Sequence, residues 1–245
     1  MSSGKVISVC AVLLVATASA AAAQVLSAPF RLNPRQSASG ATLNQTFVLV
    51  DFALTNRHVY DHDFVFYPTM VQIMFVGERA RLSAGAGYLK GGGSLGDGYT
   101  LGVGAGYAVR RIEFLRQIGV ELMTSVTSSS IDHPNFPDFR QIDIPFGVGA
   151  TFVGPAPGFS ASAWAVGFGQ VRISDRLDPA DDSRTTNIGG GLATGLMITL
   201  LNGFGFHTSV QGMLMDDEFP AESSLELLFS AGVHYRIGRI DPSTP

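Results

Sequence analysis

Apolar and polar residues alternate with a period of two along most of this chain. Tyr99, Leu101, Val103, Ala105, Tyr107 and Val109 share one face, and Thr100, Gly102, Gly104, Gly106 and Ala108 the other. Ile142, Ile144, Phe146, Val148, Ala150 and Phe152 alternate with Gln141, Asp143, Pro145, Gly147, Gly149 and Thr151. Near the C-terminus, Leu225, Leu227, Phe229, Ala231, Val233, Tyr235 and Ile237 alternate with Glu226, Leu228, Ser230, Gly232, His234, Arg236 and Gly238. Side chains of a strand point alternately to its two faces, so this pattern predicts half-apolar strands. The pattern predicts ten of them, at 46–56, 64–76, 80–90, 98–110, 114–128, 140–153, 158–173, 186–201, 204–215 and 224–238. The first is the least regular, because Phe47 and Leu49 fall on its polar face.

The connections alternate long and short. The short ones are Gly77-Glu78-Arg79, Arg111-Ile112-Glu113, Gly154-Pro155-Ala156-Pro157 and Asn202-Gly203. Asn-Gly between two alternating runs is a strong hairpin signal. The long ones include NRHVYDH, SSIDHPNFPDF and SDRLDPADDSRT. Strands of ten or more residues, joined by short turns on one side and longer loops on the other, describe an outer-membrane barrel. With ten strands, both termini fall on the short-turn side, which is the periplasm.

Composition agrees. Glycine accounts for 29 of the 245 residues, well above the usual ~7%. Charged residues make up only 15%, and the net charge of −4 leaves no basic footprint for nucleic acid. Residues 1–23 read as a signal peptide: Lys5, then an apolar run closing on Ala18-Ser19-Ala20 and Ala21-Ala22-Ala23. Cleavage there removes Cys10, the single cysteine, and with it any thiolate for catalysis or zinc. After it no stretch reaches 18 apolar residues, so strands must do any membrane crossing. The expected organisation is a signal peptide at 1–23, a polar periplasmic segment at 24–45 (a disordered tail or a plug), a barrel at 46–240 and a tail at 241–245.

In this architecture the chain resembles the small outer-membrane β-barrel proteins of the OmpA/OmpX and OmpW type, over roughly residues 46–240. One local feature adds to the resemblance. Ser230-Ala231-Gly232-Val233-His234-Tyr235-Arg236-Ile237 is similar to the terminal-strand signal read by the outer-membrane assembly machinery. Gly232, Tyr235 and Ile237 take the signal positions. The chain departs from the pattern by continuing as GRIDPSTP rather than ending on an aromatic. The resemblance implies an all-β fold, a closed antiparallel transmembrane barrel of ten strands, with eight as the alternative. It also implies outer-membrane lipid and lipopolysaccharide as surroundings. The rival class is a secreted β-sandwich or lipocalin-like barrel, which would put large residues inside and charges outside. Here the less apolar face is mostly Gly, Ser and Thr, as a lumen requires.

Twelve lumen glycines, from Gly85 to Gly232, leave room inside, and a cavity or thin channel is expected there. The ionisable residues of the same face are Asp51, Arg81, Glu121, Asp143, His207, Glu226, His234 and Arg236. Both signs are present, so the plain expectation is a buried ion-pair network; the functional one is a constriction that selects solutes. No cofactor is expected. In the acidic loops, Asp178, Asp181 and Asp182 form a weak candidate cluster for a divalent cation, without the spacing of a calcium loop. Two barrel enzymes bear comparison. His207-Thr208-Ser209 has the His-x-Ser spacing of lipid A deacylases but lies at the short-turn end. Asp61-His62-Asp63 and Asp132-His133 match omptin-type proteases in composition only. The expected function is therefore non-enzymatic, either structural or a narrow passage for small solutes. A surface-recognition platform acting through the loops is the second class, and a barrel hydrolase the third.

Overall fold

Ten strands follow one another in chain order: β1 (Gln45–Val59), β2 (His62–Val76), β3 (Ala80–Gly91), β4 (Asp97–Arg111), β5 (Ile118–Asp132), β6 (Asp138–Ala156), β7 (Phe159–Leu177), β8 (Arg184–Leu200), β9 (Phe204–Asp216) and β10 (Ser223–Ile237). Each pairs antiparallel with its chain neighbours, and β1 pairs with β10, so the sheet closes into a barrel. The computed structural model describes residues 45–59, 62–77, 80–92, 96–111, 118–132, 138–156, 159–177, 184–216 and 223–237. Residues 1–23, expected to be a signal peptide, nearly all of the 24–45 segment, Asp178, Asp181, Asp182 and the 241–245 tail lie outside the described residues.

Closure satisfies every strand edge, which hydrocarbon demands because it offers backbone groups no partner. The closing seam has a continuous register from Thr46 opposite Ile237 to Arg57 opposite Glu226. A register shift between Ala108 and Arg110 interrupts the β4–β5 ladder near its short-turn end. At the β8–β9 turn, Gly203 has φ = 88°, a left-handed conformation that costs a residue with a Cβ about 1 kcal/mol or more. Its amide donates to Leu200 O at 2.9 Å, and its carbonyl accepts from Arg236 N at 2.8 Å.

The two faces separate as their alternation demands. Large apolar side chains stand exposed on the outer surface, among them Leu101, Val103, Phe146, Val148, Leu192 and Phe206. Tyr67, Tyr88 and Tyr99 lie towards the loop end of this band, and Tyr107 and Tyr235 towards the turn end. Apolar outside and polar inside, with aromatics at both rims, is the arrangement of a transmembrane barrel and the inverse of a soluble one.

The lumen holds apolar clusters at three levels. Phe47, Leu49, Met74, Val76 and Met197 pack at the turn end. The irregular face of β1 is thus explained, since Phe47 and Leu49 point inward as filling. Met123, Trp164, Val166, Phe168, Ala193, Met213 and Met215 form the largest cluster. Phe66, Met70, Leu89 and Ile131 pack at the loop end beside β2 to β5.

Candidate functional site

Several lumen-facing glycines, among them Gly85, Gly106, Gly147, Gly195 and Gly232, are covered by side chains from neighbouring strands, which narrows the space expected of a channel. A Cβ on Gly195 would lie 2.5 Å from Trp164 Cζ2. One on Gly147 would lie 2.8 Å from Phe168 Cβ, and one on Gly85 would lie 2.9 Å from Gln72 Cγ. These distances are below contact, so the glycines are notches that seat large residues of the next strand. Gly119 differs: a Cβ there would meet open space. An apolar groove of about 560 Å³ is present, but several of its lining residues, including Val148, Leu192, Ala165 and Gly167, lie on the outer face.

Between the apolar clusters lie three polar groups. Towards the loop end, Arg172 of β7 is 2% exposed and holds two carboxylates. Its Nε donates to Asp143 Oδ1 of β6 at 2.8 Å. Its Nη2 donates to Glu226 Oε2 of β10 at 2.8 Å, and its Nη1 to Glu226 Oε1. Asp143 also accepts from Gln141 and Gln170. Strands β8 and β9 separate β7 from β10 along the sheet, so the Arg172–Glu226 pair crosses the lumen. Its fork geometry is the bidentate one that strengthens Arg–carboxylate contacts.

At the turn end, Arg81 of β3 donates through Nε to Glu121 Oε1 of β5 at 3.1 Å, passing over Gly106 of β4. Arg81 Nη1 also reaches Met74 Sδ at 3.7 Å.

The third group is a chain of side chains around the β1–β10 seam. Thr199 Oγ1 of β8 lies 2.9 Å from His234 Nε2 of β10. His234 Nδ1 lies 3.3 Å from His207 Nδ1 of β9. His207 Nε2 contacts Asp51 Oδ1 of β1, and Gln72 Nε2 of β2 donates to Asp51 Oδ2 at 3.3 Å. Gly232 makes the crossing from β9 to β1 possible, because a Cβ there would lie 2.6 Å from His207 Nε2 and 2.8 Å from Asp51 Oδ1.

All eight ionisable positions named for the lumen face inward. Seven are buried, and Arg236 is half-buried at the turn end. Sequence reasoning passed over Arg172, Gln72, Gln141, Gln170 and Thr199. The signal for Arg172 was available, since parity along β7 puts it on the face of Trp164, Phe168 and Gln170. Tyr235 and Ile237 of the terminal-strand signal point outward at about half exposure, and Gly232 points inward. The His-x-Ser candidate does not assemble. Ser209 Oγ bonds Ser230 Oγ at 2.7 Å, while His207 turns to Asp51 and His234. No group of three or more metal-ligating side chains converges among the described residues.

The fold is a closed ten-stranded antiparallel barrel with an apolar outer surface. No family model and no curated protein matches the chain in sequence. Solved structures match in shape at low identity. Neisserial surface protein A is 12% identical, with 78% of this chain and 96% of that one covered, at a TM-score of 0.44. The outer-membrane protease OmpT of Escherichia coli is 8% identical, with 82% and 99% covered, at 0.42. The attachment invasion locus protein Ail of Yersinia pestis is 10% identical, with 79% and 98% covered, at 0.41.

Proposed function

We propose that this protein is a non-enzymatic outer-membrane barrel with a structural role, whose lumen is closed by its own side chains. The observation that carries this reading is the Arg172–Glu226 pair, which crosses the lumen and is held at both ends. The pair is buried and bidentate, so it stands across part of any path through the barrel, and displacing it would strand buried charges. The two other polar groups and the apolar clusters add further obstruction at other levels. The non-enzymatic reading is supported by His207 and Ser209, whose polar atoms are engaged in separate contacts.

In this reading the apolar band contacts outer-membrane lipid and lipopolysaccharide. The short turns and both termini face the periplasm, and the longer loops face outward, by the asymmetry of bacterial barrels. The assembly machinery reads β10 through Gly232, Tyr235 and Ile237.

The test is single-channel recording from the refolded full chain in planar bilayers. The expected result is no conductance steps from protein that runs as folded on heat-modifiable gels. Steady conductance from that folded material overturns the structural reading. It supports the narrow passage instead, in which case neutralising Glu121 or Asp143 changes the current.

A further inference from the structure

We propose that the Thr199–His234–His207–Asp51 chain is a proton-operated latch on the β1–β10 seam. It holds the turn end of the barrel together while the imidazole pair carries at most one extra proton, and it lets go when both rings are charged.

The donors and acceptors along the chain fix where its hydrogens lie. A carboxylate only accepts, so the His207 Nε2 facing Asp51 carries a hydrogen. In neutral His207 the other nitrogen, Nδ1, is then bare. It accepts across the 3.3 Å contact from His234 Nδ1–H. His234 Nε2 is bare in turn and accepts from the Thr199 hydroxyl. Every contact has one donor and one acceptor, and both rings are neutral.

One added proton is accommodated without moving an atom far. It sits on His207 Nδ1 and donates to His234 Nδ1. The His234 hydrogen moves to Nε2 and donates to Thr199 Oγ1, which can accept as readily as donate. The chain has reversed direction and remains fully paired, with the imidazolium against the Asp51 carboxylate. A second proton has no place. Both Nδ1 atoms would then carry hydrogens pointing at each other across 3.3 Å, on two like charges in a buried site.

The surroundings do not relieve this. From β1 the pair meets Asp51, already engaged. From β2 it meets neutral Gln72, and from β8 and β9 the neutral Thr199 and Ser209. On β10 the next inward residue towards the turn end is Arg236, another cation, and the next acid, Glu226, is held by Arg172. Across the lumen, Arg81 of β3 is paired with Glu121 of β5. The second charge therefore meets no free carboxylate among these groups.

The latch joins β8, β9, β10, β1 and β2, the strands on either side of the last closure made along the chain. Releasing it loosens that seam while the Arg172 group towards the loop end is untouched. The inference does not depend on whether the lumen conducts.

Two measurements on the refolded full chain in micelles test it. The first is histidine ring ¹⁵N NMR at neutral pH. The expected result is His207 protonated on Nε2 and His234 on Nδ1; the opposite tautomers overturn the inventory. The second is the temperature at which half the protein unfolds on heat-modifiable gels, followed between about pH 7.5 and about pH 4.5, where histidine changes charge. The wild type is expected to lose about 5 °C more than His234→Asn or His207→Gln over this range, a shift of the size that loss of one buried contact produces in a chain this long. Carboxylates elsewhere titrate in all three proteins, so the difference isolates the pair. An equal loss in wild type and variants overturns the latch. If neither variant folds, the tautomer assignment and the number of rings that titrate in the folded wild type decide: one ring supports the latch, and two independently charged rings overturn it.

Discussion

Replacing Arg172 with methionine should destabilise the barrel without removing much apolar volume. The guanidinium is 2% exposed and makes three charge-assisted hydrogen bonds to two buried carboxylates. Breaking a buried ion pair by removing one partner costs about 3–5 kcal/mol, because a charge is left in a poor solvent. Here two carboxylates lose a partner, but Asp143 keeps Gln141 and Gln170. That places the expected cost near the lower end, about 3 kcal/mol, or on the order of a hundredfold in the folding equilibrium. The source of the cost is the stranded charge rather than the lost bond, and this has a checkable consequence. The triple variant Arg172→Met with Asp143→Asn and Glu226→Gln should recover at least half the loss, because no uncompensated charge remains. The assay is urea unfolding of the refolded protein in lipid vesicles at neutral pH. Trp164, the single tryptophan, sits within the lumen and reports unfolding by its fluorescence. An R172M protein within about 0.5 kcal/mol of wild type, or a triple variant no more stable than R172M, would refute the reasoning.

Three further outcomes follow from the same structure. Leu192→Arg places a charge on the outer band at a position 73% exposed. It should cost about 2–4 kcal/mol in vesicles if that surface meets hydrocarbon, whereas a soluble barrel would tolerate it, so equilibrium unfolding separates the two. Gly232→Ala forces a methyl group between His207 and Asp51; it should cost about 1–3 kcal/mol by overpacking, measured as a fall in the urea midpoint. Gly203→Ala requires an L-residue at φ = 88° and should cost about 1 kcal/mol, with the folded gel mobility unchanged.

All ten strands, their order and their two faces were legible in the sequence. The reason is that each is a local property. Period-two alternation assigns a face to every residue within a strand, and turn length assigns the end at which each strand reverses. Even Phe47 and Leu49, which spoiled the pattern of β1, lie on the face their parity requires. Strand ends were less certain. The sixth strand was expected over 140–153, and it runs from Asp138 to Ala156.

The tertiary structure alone decided what the inward residues do to one another. Arg172 and Glu226 lie 54 positions apart, and Asp51 and His207 lie 156 apart. Neither pair is made by adjacent strands, so no local pattern brings them together; closure of the sheet and its register do. The lumen glycines show the same division. Their alternation could be read from the chain, and by itself it implied empty space. Whether a glycine leaves a void or a seat depends on the size of the residue opposite it in the neighbouring strand, as with Trp164 over Gly195 and the His207–Asp51 contact over Gly232. Sequence determined that this chain forms a barrel with a polar interior, because strand period is a local property. Closure and register determined which inward residues meet across the lumen, because packing is a relation between residues far apart along the chain.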